Sequence, residues 1–301
     1  MCQDAHKRKS PARRQTKCVF FSGIRMVDEA SPGVMLWWKT ISAIGVVNIV
    51  AWLLVAIGFG RDSRPIDPAL RREHRWQIFL SALFVFGCAF RSFLPRAEGQ
   101  RICLYDSWWS SAILSRAVAT VAELALVAQW TIFLGRWTRE VGSRVGFAIS
   151  RLLLPLIAFA EICSWYTTLT TNFRGSVIEE STWAITSTLM TVTLIGLWAQ
   201  RKEVRRPFIA AAIILNAAYI MFMWSVDVPM YMARVRADEA SGKTFLTVPE
   251  GIADAATRRV VTRRWDDWRD EMPWMTLYFS AGVWISISLI RAPRFQPEPR
   301  A

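Results

Sequence analysis

The chain has 301 residues, 53% of them apolar, with a mean hydropathy of +0.24. The apolar residues gather into runs that reach the roughly 20 residues a helix needs to cross about 30 Å of hydrocarbon, which excludes a soluble domain built from short amphipathic stripes. The net charge is +13, but the arginines sit in the short segments between apolar runs, a topogenic pattern that argues against nucleic-acid binding.

The expected fold is all-α: a polytopic helical membrane protein with seven transmembrane helices in one bundle. Residues 1–34 read as a basic, disordered N-terminal segment, 35–291 as the membrane domain, and 292–301 as a C-terminal tail. The spans are drawn at about 35–59, 76–95, 110–134, 146–170, 181–200, 207–229 and 273–290, with an outer loop over 233–272. Tryptophans mark their ends as an interfacial belt would, among them Trp37, Trp38, Trp76, Trp108, Trp109, Trp165, Trp183, Trp198 and Trp274.

Charge sets the orientation. The connection after span one carries Arg61, Arg64, Arg71, Arg72 and Arg75. The one after span three carries Arg136, Arg139 and Arg144, and the one after span five Arg201, Lys202, Arg205 and Arg206. The connections after spans two and four have fewer basic residues (Arg96 and Arg101, then Arg174), and the tail adds Arg291, Arg294 and Arg300. The positive-inside rule then places the N-terminus outside and the C-terminus in the cytoplasm, in a plasma or cytoplasmic membrane. The basic stretch 1–25 conflicts with this. Translation from Met26 or Met35 is the preferred resolution, and an inverted topology is the other.

Within the spans the ionisable residues are few and costly. Glu123 falls near the middle of span three and Glu161 a little past the middle of span four. A carboxylate at the bilayer centre costs about 2.5–3.5 kcal/mol on insertion scales, so both should face the bundle and find a partner or a proton. Arg116 lies two helical turns before Glu123 on the same face, about 10 Å away along the axis, with Thr120 between them. Span three is rich in alanine and serine, which suits a central helix.

Span four continues past Glu161 with Ser164, Thr167, Thr168, Thr170 and Thr171. Glu179 and Glu180 open span five, where the helix dipole alone would favour acids. Span six sets Asn216, Tyr219, Met223 and Asp227 along one face, and Pro229 is expected to bend or end it. These residues define a polar region between spans three to six. The binding candidates are Glu123, Glu161, Asp227, Asn216, Glu180 and Arg116. The structural alternative is ion pairing, Arg116 with Glu161 and Arg91 with Asp227.

Other signals are weaker. Met223, Met230 and Met232 belong to two M-x-M motifs, and thioethers suit Cu(I), though methionine is also ordinary filler. His6 and His74 both fall outside the drawn spans, so neither haem nor histidine-bound zinc is expected. Cys103 and Cys163 are read as inert thiols, with a disulfide as the alternative. The stretch "RRVVTRRWDDWRDEMPW" reads as an amphipathic surface helix carrying Val261, Trp265 and Trp268, and its acids as a solvated face. Span seven has no lysine for a retinal Schiff base.

The functional expectation is a transporter or ion-coupled carrier for a small solute or cation. A membrane-embedded enzyme acting on a lipid or hydrophobic substrate is the alternative, and a sensory or scaffold protein the third. The expected partners are the lipid bilayer and that solute or cation.

Overall fold

A computed structural model describes residues 30–60, 68–200 and 206–291. The basic stretch 1–25, with Cys2, His6 and Cys18, lies outside the described residues. So do Met26, Arg61, Arg64, Arg201, Lys202, Arg205, Arg294 and Arg300. The chain is an all-α bundle in which seven helices are long and apolar enough to cross a membrane.

In chain order the elements are α1 (Pro32–Gly60), α2 (Pro68–Phe93), β1 (Arg96–Ala97), β2 (Ile102–Cys103), α3 (Ala112–Glu140), α4 (Arg144–Thr170) and α5 (Arg174–Ala199). The sixth span is α6 (Arg206–Phe222), a π-helical turn (Met223–Asp227) and α7 (Val228–Ala240). After it come α8 (Val248–Thr257), β3 (Val260–Val261) and α9 (Trp265–Trp268). The seventh span is α10 (Met272–Leu277), a second π-helical turn (Tyr278–Gly282) and α11 (Val283–Arg291).

Local sequence explains the helix limits. Pro32 and Pro68 open α1 and α2, where a missing N–H costs nothing. The Ser143 hydroxyl accepts from the Gly146 amide at the start of α4. Thr171 ends that helix in the left-handed region, at φ 59°. The helix does not end at Pro229. Proline needs no amide partner in the first turn of α7, and the wide turn just before it lets the sixth span run on to Ala240. His74 falls within α2, because that helix starts at Pro68.

Each span through the fifth packs on the next in sequence. The seventh returns to α2, α1 and α3 and makes no extended contact with the sixth. One apolar core joins α1, α2 and the seventh span around Phe84, Met275 and Phe279. A second joins α3, α4 and α5 around Phe133, Leu134, Trp137, Ile157 and Leu194. Gln77, Gln129 and Ser286 tie spans two, three and seven together: the Ser286 hydroxyl donates to Gln129 Oε1 at 2.6 Å, and Gln77 donates to the Gln129 carbonyl at 3.0 Å. The π turn of the seventh span frees a carbonyl, and Asn48 donates to one there, on Phe279, at 2.8 Å.

One end of the bundle carries a cap. β1 and β2 are antiparallel, and β3 adds in parallel to β2. Arg96 and Arg101, the two basic residues of the connection after span two, are buried in this cap. Arg96 donates to the Ser110 and Arg258 carbonyls, and Arg101 pairs with Asp254 of α8 at 2.7 Å. Helix α8 lies so close to α4 that a Cβ on Gly251 would stand 1.9 Å from the Leu169 carbonyl oxygen.

The cap corrects the expected surface helix. Val260 and Val261 form β3, and Trp268 is fully buried among core residues of α1 and the seventh span. The amphipathic helix of this loop is α8 instead. Tertiary pairing with β2 removes Val261 from the helical register that the apolar spacing suggests. Cys103 and Cys163 are separate buried thiols. Trp76, Trp108, Trp109 and Trp198 face outward as a belt would, whereas Trp38, Trp165 and Trp274 donate internal hydrogen bonds.

Candidate functional site

A cavity of about 740 Å³ lies between α3, α4, α5 and the sixth and seventh spans. Its end near the cap is polar. Towards the other end its wall is apolar, with Trp130, Leu153, Met190, Phe208, Ile285 and Leu289. Small residues let the helices approach: a Cβ on Gly87 would lie 2.9 Å from the Ala122 Cβ, and one on Gly175 would lie 2.4 Å from the Cys163 carbonyl oxygen.

Arg116 is the hub of the polar end. Its Nη2 donates to Glu123 at 3.1 Å and Glu161 at 3.0 Å, and its Nη1 donates to Ser164 at 2.6 Å and Glu179 at 3.4 Å. The Thr120 hydroxyl donates to Glu161 at 2.6 Å and accepts from the Trp165 indole. The Tyr278 hydroxyl donates to Glu123 at 3.3 Å. All four charged residues of this cluster are buried. The carboxylate oxygens of Glu123, Glu161 and Glu179 lie within 4.8 Å of one another, close enough to share a cation. The guanidinium of Arg116 already bridges them, so the cluster is three carboxylates around a tethered cation.

Two further arginines line the cavity. Arg91 pairs with Glu98 at 3.0 Å and stands 3.9 Å from Glu123, with its guanidinium over the Trp274 ring. Arg234 pairs with Glu271 at 2.8 Å, and the Trp274 indole donates to the other oxygen of that carboxylate. Glu98 sits in the loop between β1 and β2. Burial pushes its carboxyl up, but the Arg91 and Arg116 guanidiniums and a 2.6 Å hydrogen bond from Ser115 outweigh burial and hold it below the usual carboxylate range.

The structure brings most sequence candidates to this cavity. Glu123, Glu180, Asp227, Asn216 and Arg116 line it, and Glu161 stands just behind Arg116. Asn216 donates to the Ser187 carbonyl and the Thr191 hydroxyl, joining spans five and six. The pairing of Arg116 with Glu161 is present. The pairing of Arg91 with Asp227 is not, because Glu98 from the cap reaches Arg91 first. Glu179 and Glu180 are not at the tip of α5: the helix begins at Arg174, which carries both past its first turn and into the bundle. Of the three methionines only Met223 lines the cavity, and Met232 is exposed on α7.

Glu98, Arg234 and Glu271 were not legible as site residues. All three lie in or beside the cap segments, outside the drawn spans, and only the folding of the cap over the bundle brings them in. Glu179 was legible as an acid, and its depth depended on where α5 starts.

No protein-family model, curated protein or solved structure gives a significant match to the chain.

The site therefore rests on its own charges. Arg91, Arg116 and Arg234 are each bonded to at least one carboxylate. Glu180 and Asp227 have no hydrogen bond or ion pair among the described residues. The surplus charge in this buried region is negative.

Proposed function

We propose that the protein is an ion-coupled carrier whose cation or proton is taken up at the carboxylate-rich end of the cavity. One observation carries this reading: Glu123, Glu161 and Glu179 converge on the Arg116 guanidinium inside the bundle. A buried group of charges with a net negative balance is costly unless a cation or proton neutralises it. Exchange of that species between the two sides would couple its gradient to a solute. Glu123 stands near the middle of α3 and Glu161 at similar depth in α4, the level at which carriers commonly bind their ions. On the positive-inside reading the cap faces outside and the C-terminus is cytoplasmic.

The test is gradient-driven uptake of a solute panel into proteoliposomes holding the full chain. Glu123→Gln should abolish coupled uptake while the protein elutes and melts as a folded species. Coupled uptake equal to that of the unaltered protein overturns the assignment.

A second reading is favoured by one feature. Leu215 and Ala218 of the sixth span and Leu277, Ala281, Trp284 and Ser288 of the seventh line the cavity and are also exposed on the outside of the bundle. The cavity therefore opens sideways between these two spans, as an enzyme acting on a lipid would require. That reading predicts a modified lipid in extracts of the reconstituted vesicles, with no gradient needed.

A further inference from the structure

We infer that the cavity binds an amphiphile with a cationic head and a hydrocarbon tail, the head seated against Glu180 and Asp227 and the tail along the apolar slot. The inference rests on the proposed reading of the cavity as a binding site and names the chemical class it takes.

The first observation is the unpaired charge. Asp227 is 5% exposed and lines the cavity, with no hydrogen bond and no ion pair among the described residues. The cation whose field reaches it is Arg234, and that guanidinium is bonded to Glu271 at 2.8 Å. Glu180, one residue beyond Glu179 on α5, also lines the cavity with no bonded partner among the described residues and lies within electrostatic reach of Asp227. A buried carboxylate without a partner is expensive. Asp227 is such a group, and the partly buried Glu180 facing the same space makes it a place for positive charge. The arginines on the wall do not invite an anion, because each is already bonded to a carboxylate.

The π turn is what puts Asp227 there. The wide turn at Met223–Asp227 adds a residue to one helical turn and turns both Met223 and Asp227 inward. Tyr219 and Tyr231 line the cavity on either side of that turn. Aromatic faces next to carboxylates are the surroundings that recognise an alkylammonium group.

The second observation is the shape of the remaining space. From Phe208 to Phe222 the sixth span forms one wall over about 20 Å at 1.5 Å per residue. Apart from Asn216 and Tyr219, what it presents there is alanine, leucine and phenylalanine. Across the gap Leu277, Ile285 and Leu289 present an apolar wall from the seventh span. The gap between the two spans is open to the outside, and in a membrane that outside is acyl chain. A soluble cation would need only the polar end. A long apolar slot that opens into the bilayer and ends at two unpaired carboxylates fits a molecule with both characters.

The experiment is equilibrium binding to the full chain in phosphatidylcholine nanodiscs. The probes are radiolabelled tetradecyltrimethylammonium, an uncharged tetradecyl glucoside and tetradecyl sulfate. The cationic probe should bind at least tenfold more tightly than the other two. The double variant Asp227→Asn, Glu180→Gln should erase that preference and leave the glucoside unchanged. Equal binding of the three probes by the unaltered protein overturns the inference without any variant, so a misfolded variant cannot hide a failure. A preference that survives in the folded double variant overturns the placement of the head. Tetramethylammonium competing as well as the long-chain probe would remove the tail from the proposal. Binding with this preference but no gradient-driven uptake would sink the carrier reading alone.

Discussion

Replacing Arg116 with glutamine should cost far more than replacing any one of its acidic partners. The guanidinium donates to three carboxylates at 3.1, 3.0 and 3.4 Å and to Ser164 at 2.6 Å. Arg116→Gln strands Glu123, Glu161 and Glu179 together, with Arg91 the nearest remaining guanidinium, 3.9 Å from Glu123. Breaking a buried ion pair by removing one partner costs about 3–5 kcal/mol, because an uncompensated charge stays behind. Glu123→Gln removes one acceptor but also relieves repulsion among the three acids, and it leaves Arg116 with two carboxylates. Its expected cost is about 1 kcal/mol, the net worth of one hydrogen bond. Arg116→Lys should fall between the two, since one ammonium cannot span three carboxylates as a planar fork does. The assay is thermal or denaturant unfolding of the purified protein in nanodiscs, followed by near-ultraviolet dichroism of its tryptophans. A Glu123→Gln variant destabilised as much as Arg116→Gln would refute the reasoning, because it would mean the acids are not in excess over their cation.

The cap offers two further tests. Gly251→Ala forces a methyl into the Leu169 carbonyl and should cost about 1–3 kcal/mol, read as faster proteolysis of residues 241–264 with the spans intact. Glu98 is held below the usual carboxylate range in the folded protein, so its contribution is fully present above that range and is lost as pH falls through the lowered value. The stability difference between the unaltered protein and Glu98→Gln, measured by thermal unfolding from neutral to acid pH, should shrink as pH falls. A difference that grows on acidification contradicts the assigned ion pairs.

Much of the bundle is legible in the sequence because hydrocarbon imposes one requirement on every span. Backbone polar groups must be satisfied within the segment, so long apolar runs become helices whatever their neighbours are. The same cost makes Glu123, Glu161 and Arg116 conspicuous, and the two-turn spacing of Arg116 and Glu123 within α3 already puts them on one face. The cap is the opposite case. Residues 96–111 and 241–271 are short, charged and polar, with many conformations open to them, and apolar spacing suggests one helix from Val261 to Trp268, of which β-pairing takes Val261 and leaves only the short α9. Arg96 and Arg101 enter the loop count only as two charges of a basic-poor connection, because sequence shows their charge and not their burial.

By itself, then, the sequence determined the seven-helix bundle, the depth of its two central glutamates and the cation beside them, since each follows from the price of polarity in hydrocarbon within a single helix. The tertiary structure alone decided which charges pair. Glu98 from the cap takes Arg91, Glu271 takes Arg234, and Glu179 joins Arg116, which leaves Glu180 and Asp227 without partners among the described residues. Such pairings are settled by distances between segments far apart in the chain, and no spacing along one helix encodes them. The sideways opening has the same origin. It exists because the seventh span packs on the first three, and that choice is made across the bundle.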